Sequence, residues 1–141
     1  MQEHQRATGP RLDALYQHAA DMRLDVEWTL DLPARRHGAY LDDRRLILLN
    51  YRCTSAQALS ALAHEVAHAI YGDRCSTPPV ERRADELGSL FIIAADDYAA
   101  AEELVGPHAG ALARELGVTE RMVLAWRRRW QRHYLTRRLG D

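Results

Sequence analysis

The sequence predicts an α+β fold that is mostly helical, with a small β-sheet near the N-terminus and a helix-turn-helix-like C-terminal segment. Three observations carry this. Two long stretches, about Ser55 to Tyr71 and onward from Pro78, repeat apolar residues at three- and four-residue steps. Short β-prone runs sit only between residues 26 and 49. The last thirty residues read as two helices around Gly117.

Residues 1–9 read as a mobile tail. Leu12, Leu15, Ala19 and Met22 then step along one helix face. Val26–Thr29 is a short strand candidate, followed by a turn around Pro33. His37–Leu41 and Arg45–Leu49 are two β-prone runs that Asp42, Asp43 and Arg44 can join as a hairpin. Leu46-Ile47-Leu48-Leu49 is the most apolar run and is expected to be a buried strand. The strand just before the next helix has a further use: an exposed edge could pair with an extended substrate. The alternative is that the hairpin only covers the core.

Thr54 and Gln57 have the spacing of a capping box, which starts a helix at Ser55. Leu59, Leu62, Val66 and Ile70 form its apolar stripe, and Gly72 stands where a left-handed cap is wanted. In its second half lies His64-Glu65-Val66-Ala67-His68. Histidines four apart share a helix face, so their imidazoles can hold one metal ion, Zn²⁺ by ligand type. Glu65 can reach a water on that ion and take its proton, which predicts metal-assisted hydrolysis, of a peptide bond in the first instance. Two unconnected surface histidines would give the same letters by chance.

Catalytic zinc usually takes three protein ligands. Thr77 and Pro78 read as the cap and first turn of the next helix. On it, Glu81 and Asp85 are one turn apart. Glu81 is the expected third ligand, and Asp85 is expected to accept a hydrogen bond from the free nitrogen of a ligand histidine. Gly88 would let the two helices approach closely. Val80, Ala84, Leu87 and Phe91 read as the core face. The plainer reading pairs Glu81, Asp85 and Glu86 with Arg82 and Arg83 on a solvated face. Cys75, in the intervening loop, is a weaker rival ligand.

The motif His64-Glu65-Val66-Ala67-His68 followed closely by Glu81-Arg82-Arg83-Ala84-Asp85 resembles the ImmA/IrrE family of metallopeptidases. The resemblance is specific in those motifs and looser from Leu12 to Leu135. It implies a zincin-like fold, zinc on His64, His68 and Glu81, and Glu65 as general base. It also implies work beside repressors, since several members of that family cleave or inactivate a DNA-binding repressor. The family often has a bulky residue and alanine where Leu87 and Gly88 stand, a conservative departure.

Bulk properties fit a small cytosolic enzyme. A chain of 141 residues suits one domain that needs no disulfides, and Cys53 and Cys75 give no disulfide framework. No apolar run has the length of a membrane span and the N-terminus carries no signal-peptide pattern, so a cytoplasmic protein is expected, in host cytoplasm if phage-encoded. All nineteen basic residues are arginine, which reads as the mark of a GC-rich genome. The net charge of −1 hides a split, with the C-terminal 28 residues strongly basic and the rest acidic.

The C-terminal stretch Leu112–Trp126 resembles a helix-turn-helix. Ala113 sits where helices cross, Gly117 turns, Thr119 caps, and Val118, Val123 and Trp126 are expected to pack inward. Arg121, Arg127, Arg128 and Arg129, with Arg132, Arg137 and Arg138 beyond, could contact DNA phosphates. A structural or protein-docking role is preferred, because Glu120 puts a negative charge near the DNA-facing turn and fold-level likeness does not establish function. Residues 1–110 are thus read as a zincin-like domain and 111–141 as an arginine-rich extension or a further part of it.

The expected function is a zinc-dependent metalloendopeptidase cleaving a specific protein, a repressor or other regulator of a phage or mobile element. The alternatives are a DNA-binding regulator whose peptidase-like core senses without turnover, and a metal-free interaction domain. For stabilising the oxyanion, Tyr40, Tyr51, Tyr71, Tyr98, His37 and His108 are all candidates, and spacing does not choose among them.

Overall fold

The computed structural model describes residues 6–139, with side chains described as far as Tyr134. Residues 1–5 of the expected 1–9 tail and the side chains of Arg137 and Arg138 lie outside the described residues. The chain runs α1 (Pro10–Asp21), β1 (Asp25–Thr29), β2 (Gly38–Leu41), a 3₁₀ turn (Asp42–Arg44), β3 (Leu46–Asn50), α2 (Ser55–Tyr71), α3 (Pro78–Ile92), α4 (Ala95–Val105), α5 (Ala109–Leu116) and α6 (Glu120–Leu139). The fold is α+β and mostly helical, as the periodicities predict. Among the described residues no helix is long and apolar enough to cross a membrane.

The three strands form one sheet in the order β1-β3-β2. β2 and β3 are the expected hairpin, antiparallel with Gly38 opposite Leu49 and Leu41 opposite Leu46. β1 joins the other side of β3 in parallel, with Asp25 opposite Leu46. The strand that leads into α2 is therefore the central one, buried through Leu46, Ile47 and Leu49. An edge available for pairing belongs to β2 and not to β3, which corrects the expectation for the strand nearest the helix.

Asn50 closes β3 and fixes the loop before β2. It is fully buried, so every polar atom must find a protein partner. Its Nδ2 donates to the carbonyls of Pro33 at 3.2 Å and Arg36 at 3.0 Å, while its Oδ1 accepts from the Arg52 amide at 3.0 Å. The loop carrying Arg35, Arg36 and His37 is thereby fastened to the sheet end.

α2 begins at a complete capping box. The Gln57 amide donates to Thr54 Oγ1 at 3.2 Å, and the Thr54 amide donates to Gln57 Oε1 at 3.0 Å. It ends at Gly72 with φ 65°, a conformation that costs an L side chain energy, and here the chain closes a Schellman motif. The Gly72 amide reaches the Ala69 carbonyl, and the Asp73 amide reaches the His68 carbonyl at 3.0 Å.

One apolar cluster joins Leu12 and Leu15 of α1, Ile47 and Leu49 of β3, Leu62 and Val66 of α2, Ile92 of α3, Leu112 of α5, and Val123 and Trp126 of α6. It crosses residue 110 without a break. The buried face of α3 differs from the expected one. Ala84, Asp85, Glu86, Gly88, Ser89 and Ile92 are buried, whereas Val80, Leu87 and Phe91 are half-buried. The reason is that α3 packs on both α2 and α6, and its contact with α6 is partly ionic. α4 buries only Tyr98 and Ala101, too narrow a stripe to stand out in the sequence.

Candidate metal centre

The motif residues lie mid-helix on α2, where one helical turn stacks His68 over His64. Their rings stand 4.5 Å apart at nearly a right angle. α3 crosses α2 closely at Gly88, where a Cβ would come within 3.0 Å of the Ala63 carbonyl carbon and oxygen and the His64 nitrogen. That approach brings Glu81 onto the histidines. Glu81 Oε2 lies 2.9 Å from His64 Nε2 and 2.8 Å from His68 Nε2. Its other oxygen accepts from Ser76 Oγ at 2.9 Å.

The two remaining ring nitrogens are held from outside. His64 Nδ1 meets Asp85 Oδ1 at 2.7 Å, and His68 Nδ1 meets Asp73 Oδ2 at 2.9 Å. A neutral imidazole has one N–H. With that hydrogen on Nδ1 toward the outer carboxylate, each Nε2 presents a lone pair to the lone pairs of Glu81. Two imidazoles and one carboxylate so arranged call for a shared cation, and two histidines with a glutamate are an established zinc set. The residues therefore fit a metal. His64, Glu65 and His68 form a group whose ligand atoms lie within 4.8 Å of one another. Glu81 joins that group through its contact with both Nε2 atoms.

Two glutamates thus compete for the third ligand position, and their electrostatics separate them. Burial raises Glu65 above the ordinary carboxylate range, and the imidazoles and Arg36 only partly restore it. Burial also pushes Glu81 upward, but the Ser76 hydrogen bond and the two imidazoles more than offset it, so its pKa is lowered. The two carboxyls are thus shifted in opposite directions, Glu81 toward the anion and Glu65 toward the protonated form. Opposed shifts in neighbouring carboxyls mark divided roles. His64 is raised: burial alone would lower it, but the hydrogen bond to Asp85 and the charges of Glu65, Asp85 and Glu81 prevail. Asp85 is lowered despite burial, by His64 and Arg121.

The cluster faces a cleft made of two hollows that share part of their lining. One, of about 520 Å³, includes Arg35, Arg36, His37, Gly38, His64 and Arg121 in its lining. The other, of about 230 Å³, includes Arg36, Tyr40, Asp42, His68, Asp73 and Arg74. Arg36, Glu65, Ser76 and Glu81 line both. Of the six oxyanion candidates, His37 and Tyr40 line the cleft. Tyr51 instead packs on Trp28, Tyr71 lies under Arg83, Tyr98 stacks on Trp126, and His108 accepts from the Ala111 amide. Cys75 lines the smaller hollow, exposed and outside the His–Glu–His group.

Asp73, Ser76 and Arg36 escaped the sequence reading. Asp73 had a signal: in a Schellman motif the residue after the glycine folds back over the last turn, which here holds His68. Ser76 belongs to the Ser76-Thr77-Pro78-Pro79 helix start, which carries no sign of its bond to Glu81, and Arg36 reaches the cleft through tertiary packing alone.

The C-terminal arginines divide. Arg121 Nε donates to Asp85 Oδ2 at 2.6 Å. Arg127 bonds the Tyr98 hydroxyl and the Pro107 carbonyl. Arg128 and Arg132 both pair with Glu86, which is 5% exposed and not part of a solvated face. Arg129 is exposed.

A family model for the IrrE N-terminal-like domain, peptidase M78, matches residues 22–125. No curated protein matches the chain. With the two motifs, α2, α3 and most of its length inside that match, the chain belongs to the peptidase M78 family.

Proposed function

We propose that the protein is a zinc-dependent metalloendopeptidase that cleaves a specific protein, a repressor or other regulator of a phage or mobile element, in the cytoplasm. One observation carries the chemistry: a single Glu81 oxygen lies within 2.9 Å of both Nε2 atoms while Asp85 and Asp73 hold both Nδ1 atoms. Zinc, when bound by His64, His68 and Glu81, supplies a Lewis acid that polarises a carbonyl and acidifies water.

The chain's own residues do the rest. Glu65, buried and raised, accepts the proton of the attacking water and returns it to the leaving amine. His37 lines the cleft and can offer an N–H to the developing oxyanion, whereas the single O–H of Tyr40 is donated to Asp42 Oδ1 at 2.7 Å. β2 is an edge strand, and Gly38 at its start lies against the Glu65 side chain. An extended peptide added along that edge would pass the base. Two hollows share Glu65 in their lining, and the room they leave for an extended chain beside the base favours an endopeptidase. The regulator as substrate is supported by the family resemblance alone. A protein partner at the cleft is preferred to DNA on α6, because Arg121, Arg127 and Arg128 are engaged within the chain.

The test compares the zinc-loaded parent with Glu65→Gln on a cell extract, mapping new protein N-termini by mass spectrometry. The parent should create a small set of new termini, and Glu65→Gln should lose them, since a general base contributes about 10²–10⁴-fold. Equal zinc content with an identical set of termini from both proteins would overturn the proposal.

A further inference from the structure

Asp85 serves two partners at once. One oxygen accepts from His64 Nδ1 at 2.7 Å, and the other accepts from Arg121 Nε at 2.6 Å. The residue is 3% exposed, so water cannot readily replace a lost partner. Arg121 comes from the first turn of α6, far along the chain from the histidines. Its position is fixed independently of the ion pair. Met122 and Val123 beside it are buried, and the Thr119 amide just before α6 donates to Ser60 Oγ of α2 at 3.1 Å. Further along, Arg128 and Arg132 follow Arg121 by seven and eleven residues, which returns them to the same helix face. Both meet Glu86, the neighbour of Asp85.

We propose that Arg121 is a positioning residue of the metal centre, acting through Asp85 on His64, so that the C-terminal helix pair is part of the centre's support. The inference rests on the zinc reading above. A carboxylate bonded at one oxygen can swing about its own axis, and the imidazole swings with it. The guanidinium holds the second oxygen and fixes the carboxylate plane. That plane sets the ring orientation of His64 and keeps its Nε2 lone pair aimed at the cluster. Arg121 reaches His64 only through Asp85, and it also lines the larger hollow. Its side chain is 65% exposed, which leaves its removal tolerable to the core.

The test is zinc affinity, by competition with a chromophoric chelator, for the full chain. The variants are Arg121→Ala, Arg121→Lys, Asp85→Asn and the double Asp85→Asn with Arg121→Ala. Arg121→Ala should weaken binding by about tenfold, the lower end of the range for outer partners of metal ligands. Arg121→Lys should recover part of this, since it restores a cation without the planar fork. In the Asp85→Asn background the Arg121 change should cost little more, because the two act as one unit. An equal loss in both backgrounds would mean that Arg121 only docks the helix, and would overturn the proposal. Arg121→Gln serves in place of any alanine variant that does not fold. A parent that binds zinc while Arg121→Ala binds it equally refutes the positioning role alone. A parent that takes up no zinc refutes the metal reading and this inference with it.

Discussion

Replacing Gly88 with alanine sets two known effects against each other, and the sign of the result tests the geometry. A Cβ at residue 88 would meet the Ala63 carbonyl carbon, its oxygen and the His64 nitrogen, all at 3.0 Å. These atoms are one peptide group in the middle of α2, so nothing flexible can yield. Carbon atoms rest about 3.5–4.0 Å apart, and the helices must separate by roughly half an ångström. Glycine to alanine inside a helix gains about 0.8–1.0 kcal/mol on propensity. Overpacking a close contact costs about 1–3 kcal/mol. The net expectation is a loss of up to about 2 kcal/mol, or several degrees in Tm. The separation falls on the candidate metal centre as well. Asp85 and Glu81 lie one and two turns before Gly88, and their 2.7 Å and 2.9 Å contacts with His64 bridge the same two helices. Functional geometry tolerates about 0.5 Å, so zinc affinity should fall together with stability. Thermal melts in chelator and a zinc competition titration measure both. A Gly88→Ala protein about 1 kcal/mol more stable than the parent, with unchanged zinc affinity, would follow propensity alone and refute the reasoning.

Three other outcomes follow from the described contacts. Asp73→Asn should weaken zinc by about 10–100-fold, because His68 loses the carboxylate on its Nδ1; unchanged affinity in the same titration would show that His68 needs no such support. In chelator, the metal-free protein should be most stable at mildly acidic pH. His64 is raised from 6.5, so its contribution is complete below that value and is lost as pH rises through its folded value; Glu65, raised from 4.5, acts in the same direction. Asp85 and Glu81, lowered from 3.8 and 4.5, contribute above those values and lose it as pH falls through their folded ones. Melts across pH check this, and stability that climbs steadily through neutral pH would contradict it. Finally, Arg128→Ala should destabilise by weakening the pairing of buried Glu86, whereas exposed Arg129→Ala should stay within about 0.5 kcal/mol. Denaturant unfolding separates the two, and equal effects would deny the Arg128–Glu86 pair a part in stability.

What the sequence made legible was what local chemistry encodes. Thr54, Gln57 and Gly72 bound α2 because capping and left-handed backbone depend on residues within a turn of one another. Thr77 and Pro78 start α3 for the same reason. Four-residue spacing fixes the two histidines on one face, and the Glu81 and Asp85 spacing carries the helix that meets them. The parallel pairing of β1 with β3 was not legible, since five residues pair equally well either way until the rest of the sheet is placed. Neither was the burial of Glu86, whose partners come from α6 more than forty residues later. Arg121 reads as a possible phosphate contact because it stands on the second helix of a helix-turn-helix-like segment, and its bond to Asp85 exists only once α6 has docked on α3.

The central claim is a zinc ion held by His64, His68 and Glu81 with Glu65 left free as the base. Crystals of protein prepared with zinc, measured on both sides of the zinc absorption edge, test it most directly. The account predicts one anomalous peak per chain, bonded to His64 Nε2, His68 Nε2 and a Glu81 oxygen, with the Glu65 carboxylate nearby and unbonded. A peak bonded to Glu65 or Cys75 in place of Glu81, or no peak in that cluster, would contradict it.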